Sequence, residues 1–462
     1  MKNEDVITNG IRVLEPETEN TGNSHDRTLK FEVVTNEQEF SSLRTAWNGL
    51  VERCNGTVYQ THEWASCWWK HFGKRPGQSL CCLVMKAGNR VIGIAPLFKE
   101  RISFAGLQAQ TRLGFLGEGN SYQTSFGMFF DNGPSDYLDI LVDPEFEQPV
   151  CAQFAEFLSA GLPGRIHVHL VNVPEQSVIR RALLGELKKR GVFIQTRQAD
   201  ICPYLTLPKS LDEYIGSMSA SVRRRLQQAR RAGSEEKMFT LAKPGTLAEY
   251  HQALDEITGL HQRRWNKMGF PGLFADARFT EFQHGIVDAF HANGWLWCKT
   301  ASTESGCVAS RLAFRFGDSF YDYLSGFDDA APASKRRPGL ALLLAMIGDG
   351  IGEKLRRVDF LRGDESYKFE LTSSSRYNWN YTIENGPRTF LTGIGTGILW
   401  LRFANFLMAH EARLLGVQVR QRGFPGFVAG YIRFRTPRLR RKLKRMFRVG
   451  AATNSGQQVD HE

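Results

Sequence analysis

The chain has 462 residues, of which 42% are hydrophobic and 11% are aromatic. This length exceeds one ordinary hydrophobic core, so we expect two domains with additional terminal segments. The formal net charge is +11, but nine basic residues lie between positions 433 and 448, in a stretch without acidic residues. The rest of the chain is almost neutral, which argues against a nucleic-acid-binding core and for a basic C-terminal appendage.

Eight scattered cysteines form no C-x-x-C pair. This pattern is typical of reduced thiols in a cytoplasmic protein and argues against a zinc site, so no metal is predicted. Residues 1–29 contain no apolar core for a signal peptide and are predicted to form a disordered leader. The most apolar C-terminal stretch, residues 393–410, is interrupted by three glycines, Arg402 and Asn405, which argues against a transmembrane span.

The first half of the chain alternates predicted strands with predicted helices. A strand at Phe31–Val34 precedes a helix for which Thr35 and Gln38 are the expected capping box. Residues 80–100 predict a hairpin, and between residues 130 and 206 strand-like runs flank another helix. This alternation predicts an α/β layer sandwich.

The second half begins with Ser210 and Glu213, a second expected capping box, before a helix predicted to run through Gly233. Three strands with short turns follow between residues 295 and 328. A helix from Pro338 and another strand come next. Each half thus places a hairpin after a tryptophan-containing helical segment, which indicates a duplicated α/β unit.

The hexapeptide RRPGLA, residues 336–341, opens the helix of the second half. Pro338 suits a first helical turn, and Gly339 lets a ligand approach the backbone N–H groups of the helix start. With Lys335, Arg336 and Arg337 nearby, such a start can hold a pyrophosphate. The alternative interpretation is an ordinary helix start with solvated cations.

Three antiparallel strands, an R-x-x-G-x-A loop and a further strand resemble the acyl-CoA site of GNAT-type acyltransferases; Arg336, Gly339 and Ala341 are the matching positions. Five motifs in chain order also resemble the CelD-like acetyltransferase family, a duplicated GNAT-fold group linked to bacterial exopolysaccharide and cellulose biosynthesis. The motifs are SASVRRRLQQARR, LHQRRWNKMGFPGLF, VASRLAFRFGDSFYDYLSGFD, RRPGLALL and DFLRGDESYKFEL. The resemblance covers Phe31 to Ile383.

The resemblance implies an α/β fold of two GNAT-like mixed-sheet units packed together, with a helical basic C-terminal tail. The units are residues 30–207 and 208–385, and the tail is residues 386–462. The resemblance also implies acetyl-CoA or another acyl-CoA as co-substrate, without a permanently bound cofactor. The residues expected to bind it are Arg336, Arg337, Gly339, Leu340 and Ala341.

The segment FLRGDESYKFEL, residues 360–371, follows the next strand, and ligands of open α/β sheets bind beyond strand ends. Acyl transfer to an amine or hydroxyl requires a group that takes the acceptor proton and a group that protonates the departing thiolate. Asp364 or Glu365 is the predicted base, Tyr367 the predicted acid, and Asp322 a second candidate base. The alternative interpretation is an ion-paired loop.

Five further side chains are candidates for acceptor binding, although the basic segment around residue 225 also fits a solvated helix face and a lone histidine is more often packed. These residues are Arg225, His261, Arg264, Trp265 and Lys368.

The resemblance implies acyl transfer to a sugar or polysaccharide precursor in exopolysaccharide or cellulose biosynthesis. One alternative is a Fem-type transferase, which has the duplicated fold but takes its acyl group from aminoacyl-tRNA. Another is a non-catalytic, membrane-associated scaffold of a polysaccharide synthase. In the tail, apolar residues of RLRRKLKRMFRVG share one helical face, which predicts peripheral binding to an anionic membrane; a solvated tail or an RNA-binding arm is the alternative.

Overall fold

The computed structural model describes residues 11–13, 28–104, 107–119, 133–162, 166–234, 236, 238–268, 272–385 and 394. The strands are β1 Ile11–Val13, β2 Leu29–Val34, β3 Gln78–Leu80, β4 Cys82–Ala87, β5 Arg90–Ala95, β6 Leu97–Phe104, β7 Leu107–Phe115, β8 Leu141–Val142, β9 Ile166–Pro174, β10 Phe193–Thr206, β11 Thr240–Ala242, β12 Leu296–Thr303, β13 Gly306–Phe316, β14 Ser319–Phe327, β15 Arg357–Asp359 and β16 Ser375–Asn385. The α-helices are α1 Glu37–Ser42, α2 Arg44–Arg53, α3 His62–Trp68, α4 Glu147–Ala160, α5 Leu184–Lys189, α6 Leu211–Ser217, α7 Ala220–Ser234, α8 Leu247–Lys267, α9 Ala277–Ala292, α10 Pro338–Gly352 and α11 Ser366–Leu371.

The strands form two sheets, one of five and one of eleven strands. The smaller has the order β1-β2-β4-β5-β8, and the larger has the order β11-β12-β13-β14-β15-β10-β16-β9-β7-β6-β3. Strand β10 joins the halves, because it pairs with β16 over most of its length and with β15 through its last three residues. Strand β16 also pairs with β9. The predicted boundary at residue 207 therefore divides the sequence but not the larger sheet.

Three buried clusters stabilise this arrangement. One lies mainly in the first half, between α4, α5 and the strands around β9, and includes Tyr381 and Ile383 of β16. A second lies mainly in the second half, where α7 and α10 cover β12 to β15, and includes Leu205 of β10. The third contains residues of both halves, and its ring contacts include Trp64 with Phe282 at 5.2 Å and with Phe314 at 5.8 Å between centroids. Burial of large aromatic side chains thus packs the two halves together.

Local predictions agree with much of this fold but differ from it at several places. The hairpin predicted at residues 80–100 is formed by β4 and β5, whereas β3 and β6 belong to the other sheet. Asn36, not Thr35, caps α1 by accepting a hydrogen bond from the Glu39 N–H at 2.8 Å. The helix predicted to run through Gly233 is interrupted at Met218, whose backbone is extended, so that α6 and α7 are separate. The last two strand-like runs before residue 207, at residues 192–197 and 202–207, are one strand, β10, with an irregularity between Gln198 and Ile201. At the second expected capping box Ser210 caps α6 by accepting from the Glu213 N–H at 3.1 Å, but the Glu213 carboxylate accepts from the Lys209 N–H and not from that of Ser210, so the reciprocal bond of a capping box is absent.

Of the predicted leader, residues 11–13 pair with β2, and most of the rest lies outside the described residues. The predicted membrane-binding tail helix also lies outside them. All eight cysteines are described and free of disulfide bonds. No helix in the described ranges is long and apolar enough to cross a membrane.

Candidate active site

The start of α10 is open on the side that faces the end of β14. Arg337 adopts a left-handed backbone (φ 59°) and is followed by Pro338 as the first helical residue. A Cβ added at Gly339 would meet only the Cβ of Phe327, at 4.0 Å. The N–H groups of Leu340 and Ala341 donate to the Arg337 carbonyl, whereas within the described chain the Gly339 N–H has no hydrogen-bond partner. Gly339 therefore offers the free donor, and Ala341 is buried in the core.

Cationic side chains surround this helix start. Arg336 lies 3.4 Å from Glu236, and 40% of its side chain is exposed. Lys335 and Arg337 are exposed and form no ion pair with any described residue. The guanidinium of Arg264, predicted to bind the acceptor, stacks on the Phe327 ring at 4.3 Å. Because Phe327 is also the nearest neighbour of Gly339, Arg264 belongs to the surroundings of the helix start and adds positive charge there.

An opening lies between β14 and the chain that follows β15. The two strands are parallel and pair only from Ser319–Tyr321 to Arg357–Asp359. Strand β14 then continues to Phe327, with a bulge at Tyr323, while the chain after β15 follows β10 instead. In that second path the N–H of Phe360 donates to the Pro203 carbonyl at 3.0 Å. The divergence leaves a wedge whose wide end faces the start of α10.

A polar group lies beside the narrow end of the wedge. Nη1 of Arg311, on β13, contacts both carboxylate oxygens of Asp322, at 2.6 and 2.5 Å, and both side chains are more than nine-tenths buried. Sequence reasoning missed Arg311. The sequence did contain a signal for it, because Arg311 interrupts an apolar strand. In the β13–β14 hairpin, Arg311 lies two residues from Ala313, which pairs with Asp322. The pair fixes the direction of the Asp322 carboxylate.

Tyr367 of α11 completes this group. The residue exposes 42% of its surface, but the surroundings of its phenol still desolvate it. This desolvation and the negative charge of Asp322 raise the pKa of Tyr367 above its ordinary value, against the opposing charges of Arg311 and Arg264. The phenol is therefore protonated at neutral pH. The same interactions bring four side chains together, of which Asp322, Arg264 and Tyr367 were predicted to act at the site.

The loop before α11 is held together by contacts of a buried lysine. Lys368 is buried, and its ammonium donates to the Arg362 carbonyl at 2.8 Å and lies 3.0 Å from Glu365. Asp364 and Glu365 are exposed. Leu361 and Gly363 have positive φ angles of 59° and 131°, so the loop turns sharply. The buried ammonium of Lys368 stabilises this turn through the contacts just described. These contacts argue against acceptor binding by Lys368.

The loop is also attached to the first half of the molecule. The Arg362 N–H donates to Asp136 at 3.1 Å, and its guanidinium donates to the Ser135 carbonyl at 3.2 Å. Behind it, the fully buried carboxylate of Asp359 accepts from the Tyr137 hydroxyl at 2.9 Å and contacts the Arg376 guanidinium. Residues of the first half thus fix the position of the chain that follows β15.

The other predicted acceptor residues are more dispersed. The Arg225 guanidinium lies 2.7 Å from Glu370 and so links α7 to α11. His261 packs against Trp265 and Phe274, with ring centroids 5.7 and 5.4 Å away. Burial lowers the pKa of His261 to about 4, and the ring is therefore neutral at physiological pH. Its contacts favour a packing role.

A cationic helix start that opens with a glycine, beside the diverging ends of two parallel strands, is suited to a phosphate-containing ligand. Residues 219–369 match the family model described as "Acetyltransferase (GNAT) domain". The match lies in the second half of the chain and supports the predicted GNAT-type acyltransferase. No curated protein sequence matches the chain.

Several solved structures are similar to the chain, among them the following three. FemX has 12% identity, with 73% of this chain and 95% of FemX covered and a TM-score of 0.51. A conserved protein of unknown function from Bacteroides thetaiotaomicron has 10% identity, 76% and 99% coverage and a TM-score of 0.46. A tandem GNAT protein from the clavulanic acid biosynthesis pathway has 13% identity, 78% and 100% coverage and a TM-score of 0.39. At such identities the FemX likeness shows the fold alone; the predicted fold class is confirmed.

Proposed function

We propose that the protein transfers an acyl group from acyl-CoA to an amine or hydroxyl of a sugar-containing acceptor. The observation that carries the donor assignment is the start of α10, where the Gly339 N–H, the helix dipole and unpaired cations meet. In this proposal the CoA diphosphate binds there. The pantetheine arm follows β14 into the wedge, and the thioester reaches Asp322 and Tyr367.

The chemistry requires two proton movements. The acceptor nitrogen or oxygen attacks the thioester carbonyl, a new C–N or C–O bond forms, and the C–S bond breaks. We assign the acceptor proton to the Asp322 carboxylate, which Arg311 orients, and the proton that neutralises the thiolate to Tyr367. Asp364 and Glu365, the bases favoured by the sequence, remain predictions.

The acceptor class rests on the resemblance to the CelD-like family, which implies a sugar or polysaccharide precursor of exopolysaccharide or cellulose biosynthesis. A Fem-type use of aminoacyl-tRNA stays an alternative, because likeness to FemX at 12% identity concerns the fold. Incubation with acetyl-CoA and candidate nucleotide sugars, with thiol release and mass detection of product, distinguishes acceptors.

The donor assignment is tested by thermal unfolding. CoA at millimolar concentration should raise the melting temperature, because a ligand that binds only the folded state stabilises it. Gly339→Val should abolish this shift, since a β-branched side chain obstructs the helix start. Gly352→Val is the matched control at the other end of α10, where an added Cβ meets nothing within 4 Å. Identical CoA shifts in both variants would rule out the assignment.

A further inference from the structure

Two histidines and two aspartates form a line across the surface of α8 and α9. Nδ1 of His251 and Nδ1 of His284 are 2.8 Å apart. Asp288 Oδ1 lies 2.8 Å from Nε2 of His251, and Asp255 Oδ1 lies 3.3 Å from Nε2 of His284. Each helix contributes one histidine and, four residues later, one aspartate, so all four side chains project from the facing sides of the two helices.

The two aspartates determine which ring nitrogen of each histidine carries the proton. A carboxylate only accepts hydrogen bonds, so each aspartate favours the tautomer that carries its proton on Nε2. Both Nδ1 atoms then carry lone pairs. The ring centroids are 5.0 Å apart with planes 24° apart, and the much shorter Nδ1 separation means that these lone pairs face each other. A positive species between His251 and His284 relieves the repulsion.

We propose that this pair binds a divalent transition-metal ion of the Zn²⁺ class through the two Nδ1 atoms. A carboxylate on the opposite ring nitrogen is the usual support of a metal-binding histidine, because it sets the tautomer and the ring direction. Asp288 and Asp255 occupy those positions for His251 and His284. The local charge also favours a cation, since two carboxylates flank two rings.

The geometry requires little adjustment. Zn–N bonds of about 2.0–2.1 Å with tetrahedral angles separate two ligand nitrogens by about 3.3 Å, so the rings must move apart by about 0.5 Å. The side chains of His251 and His284 are 27% and 32% exposed, which permits this movement and gives water access to the ion. In the described ranges no group of three or more histidine, cysteine, aspartate or glutamate side chains is arranged to hold a metal. The protein therefore supplies two ligands, and water completes the shell.

The expected role is structural. A metal between His251 and His284 links α8 to α9, whose inner faces pack in the core shared by both halves. Binding to the folded state alone raises its stability by mass action. This inference does not rest on the acyltransferase proposal, because no residue of the wedge takes part.

The test is a calorimetric titration of the full-length, chelator-treated protein with ZnCl₂ at pH 7.5, with MgCl₂ for comparison and thermal unfolding in parallel. We expect wild type to bind one more equivalent of Zn²⁺ than His251→Ala or His284→Ala, and only wild type to melt later with that equivalent bound. Asp288→Asn should weaken this binding by about 10- to 100-fold. Mg²⁺, which prefers oxygen ligands, should not bind the pair.

His291→Ala is the matched control, because His291 also lies on α9 but packs against Tyr250, with ring centroids 5.4 Å apart. It should keep the full Zn²⁺ stoichiometry. Circular dichroism before titration establishes that each variant is folded. Equal Zn²⁺ binding by wild type and both histidine variants would overturn the proposal. So would an absence of Zn²⁺ binding at pH 7.5, since the pair would then hold only a shared proton.

Discussion

The two halves of the molecule differ most at the start of the helix that follows their antiparallel strands. In the first half, Asp143 and Glu145 precede α4, and Glu147 opens it. In the second half, three cations and a glycine occupy the corresponding region of α10. A helix N-terminus attracts anions, and acidic residues there already satisfy it. Only the second helix start complements a diphosphate.

The two halves also differ at the end of their parallel pair of strands. In the first half β7 and β9 are parallel, as β14 and β15 are in the second. There the buried Glu118 turns back, so that a Cβ added at Gly114 would lie 2.4 Å from its carboxylate. The Arg112 guanidinium lies between Glu118 and Glu100. One architecture therefore carries a closed ionic cluster in one half and an open site in the other, which illustrates why function must be argued from the site.

The largest expected effect comes from the buried carboxylate of the second half. Asp322→Asn should lower kcat about 100- to 10,000-fold, as is typical of general-base loss, while CoA affinity changes little. Steady-state thiol release and a CoA titration measure the two quantities. The first-half carboxamide variant Glu145→Gln is the control and should keep wild-type turnover. If Asp364→Asn or Glu365→Gln instead gives the large loss, the loop supplies the base.

The ionic cluster of the first half should affect stability and not donor binding. Burial raises the pKa of Glu118 to about 7 from its ordinary value of 4.5. The folded protein keeps this proton between pH 4.5 and 7 while the unfolded chain loses it, so the associated stabilisation is full below pH 4.5 and is lost as pH rises through 7.

Glu118→Gln removes this titration. The free energy of unfolding of wild type relative to Glu118→Gln should therefore fall between pH 5 and pH 8, by at most about 3 kcal/mol. Urea unfolding at several pH values measures it, and CoA binding should be unchanged. If the difference in free energy of unfolding between wild type and Glu118→Gln does not change with pH, Glu118 binds its proton equally in the folded and unfolded chain.

The charge contrast between the helix starts predicts a smaller effect. The double variant Lys335→Glu, Arg337→Glu should raise KM for acyl-CoA about tenfold or more with little change in kcat, because hydrogen bonds to charged groups contribute about 1.5–3 kcal/mol. Lys188→Glu with Lys189→Glu, on α5 of the first half, is the matched control. Equal effects of both pairs would indicate a nonspecific influence of net charge.

The smallest effect is expected at His261. Since burial lowers the pKa of His261 to about 4, it does not titrate between pH 5.5 and 9 and cannot produce a limb in the rate profile over that range. We expect His261→Phe, which retains an aromatic contact with Phe274, to change kcat less than about threefold and to leave the pH–rate profile unchanged. Loss of a limb near neutral pH would assign His261 a proton-transfer role.

Sequence patterns predicted the features that depend on short stretches of chain. The three strands β12 to β14, the Ser210 cap and the helix that opens at Pro338 follow from alternation, capping residues and proline preferences, all of which act within a few residues. Asp322, Tyr367 and Arg264 were also identified as chemically relevant. The roles assigned to Lys368 and His261 were less well founded, because packing contacts already occupy both side chains. Lys368 binds Arg362 and Glu365, and His261 packs against Trp265 and Phe274.

The amino-acid sequence by itself determined that the second half has a helix start suited to a phosphate, since the proline, the glycine and the cations are adjacent in the chain. Only the tertiary structure decided that β16 lies between β9 and β10 and that Arg311 orients Asp322. It also decided that Glu118 closes the wedge of the first half. Alternation defines which face of a strand is buried but not which strand lies beside it. The effect of a buried charge, likewise, depends on the partner that folding brings to it.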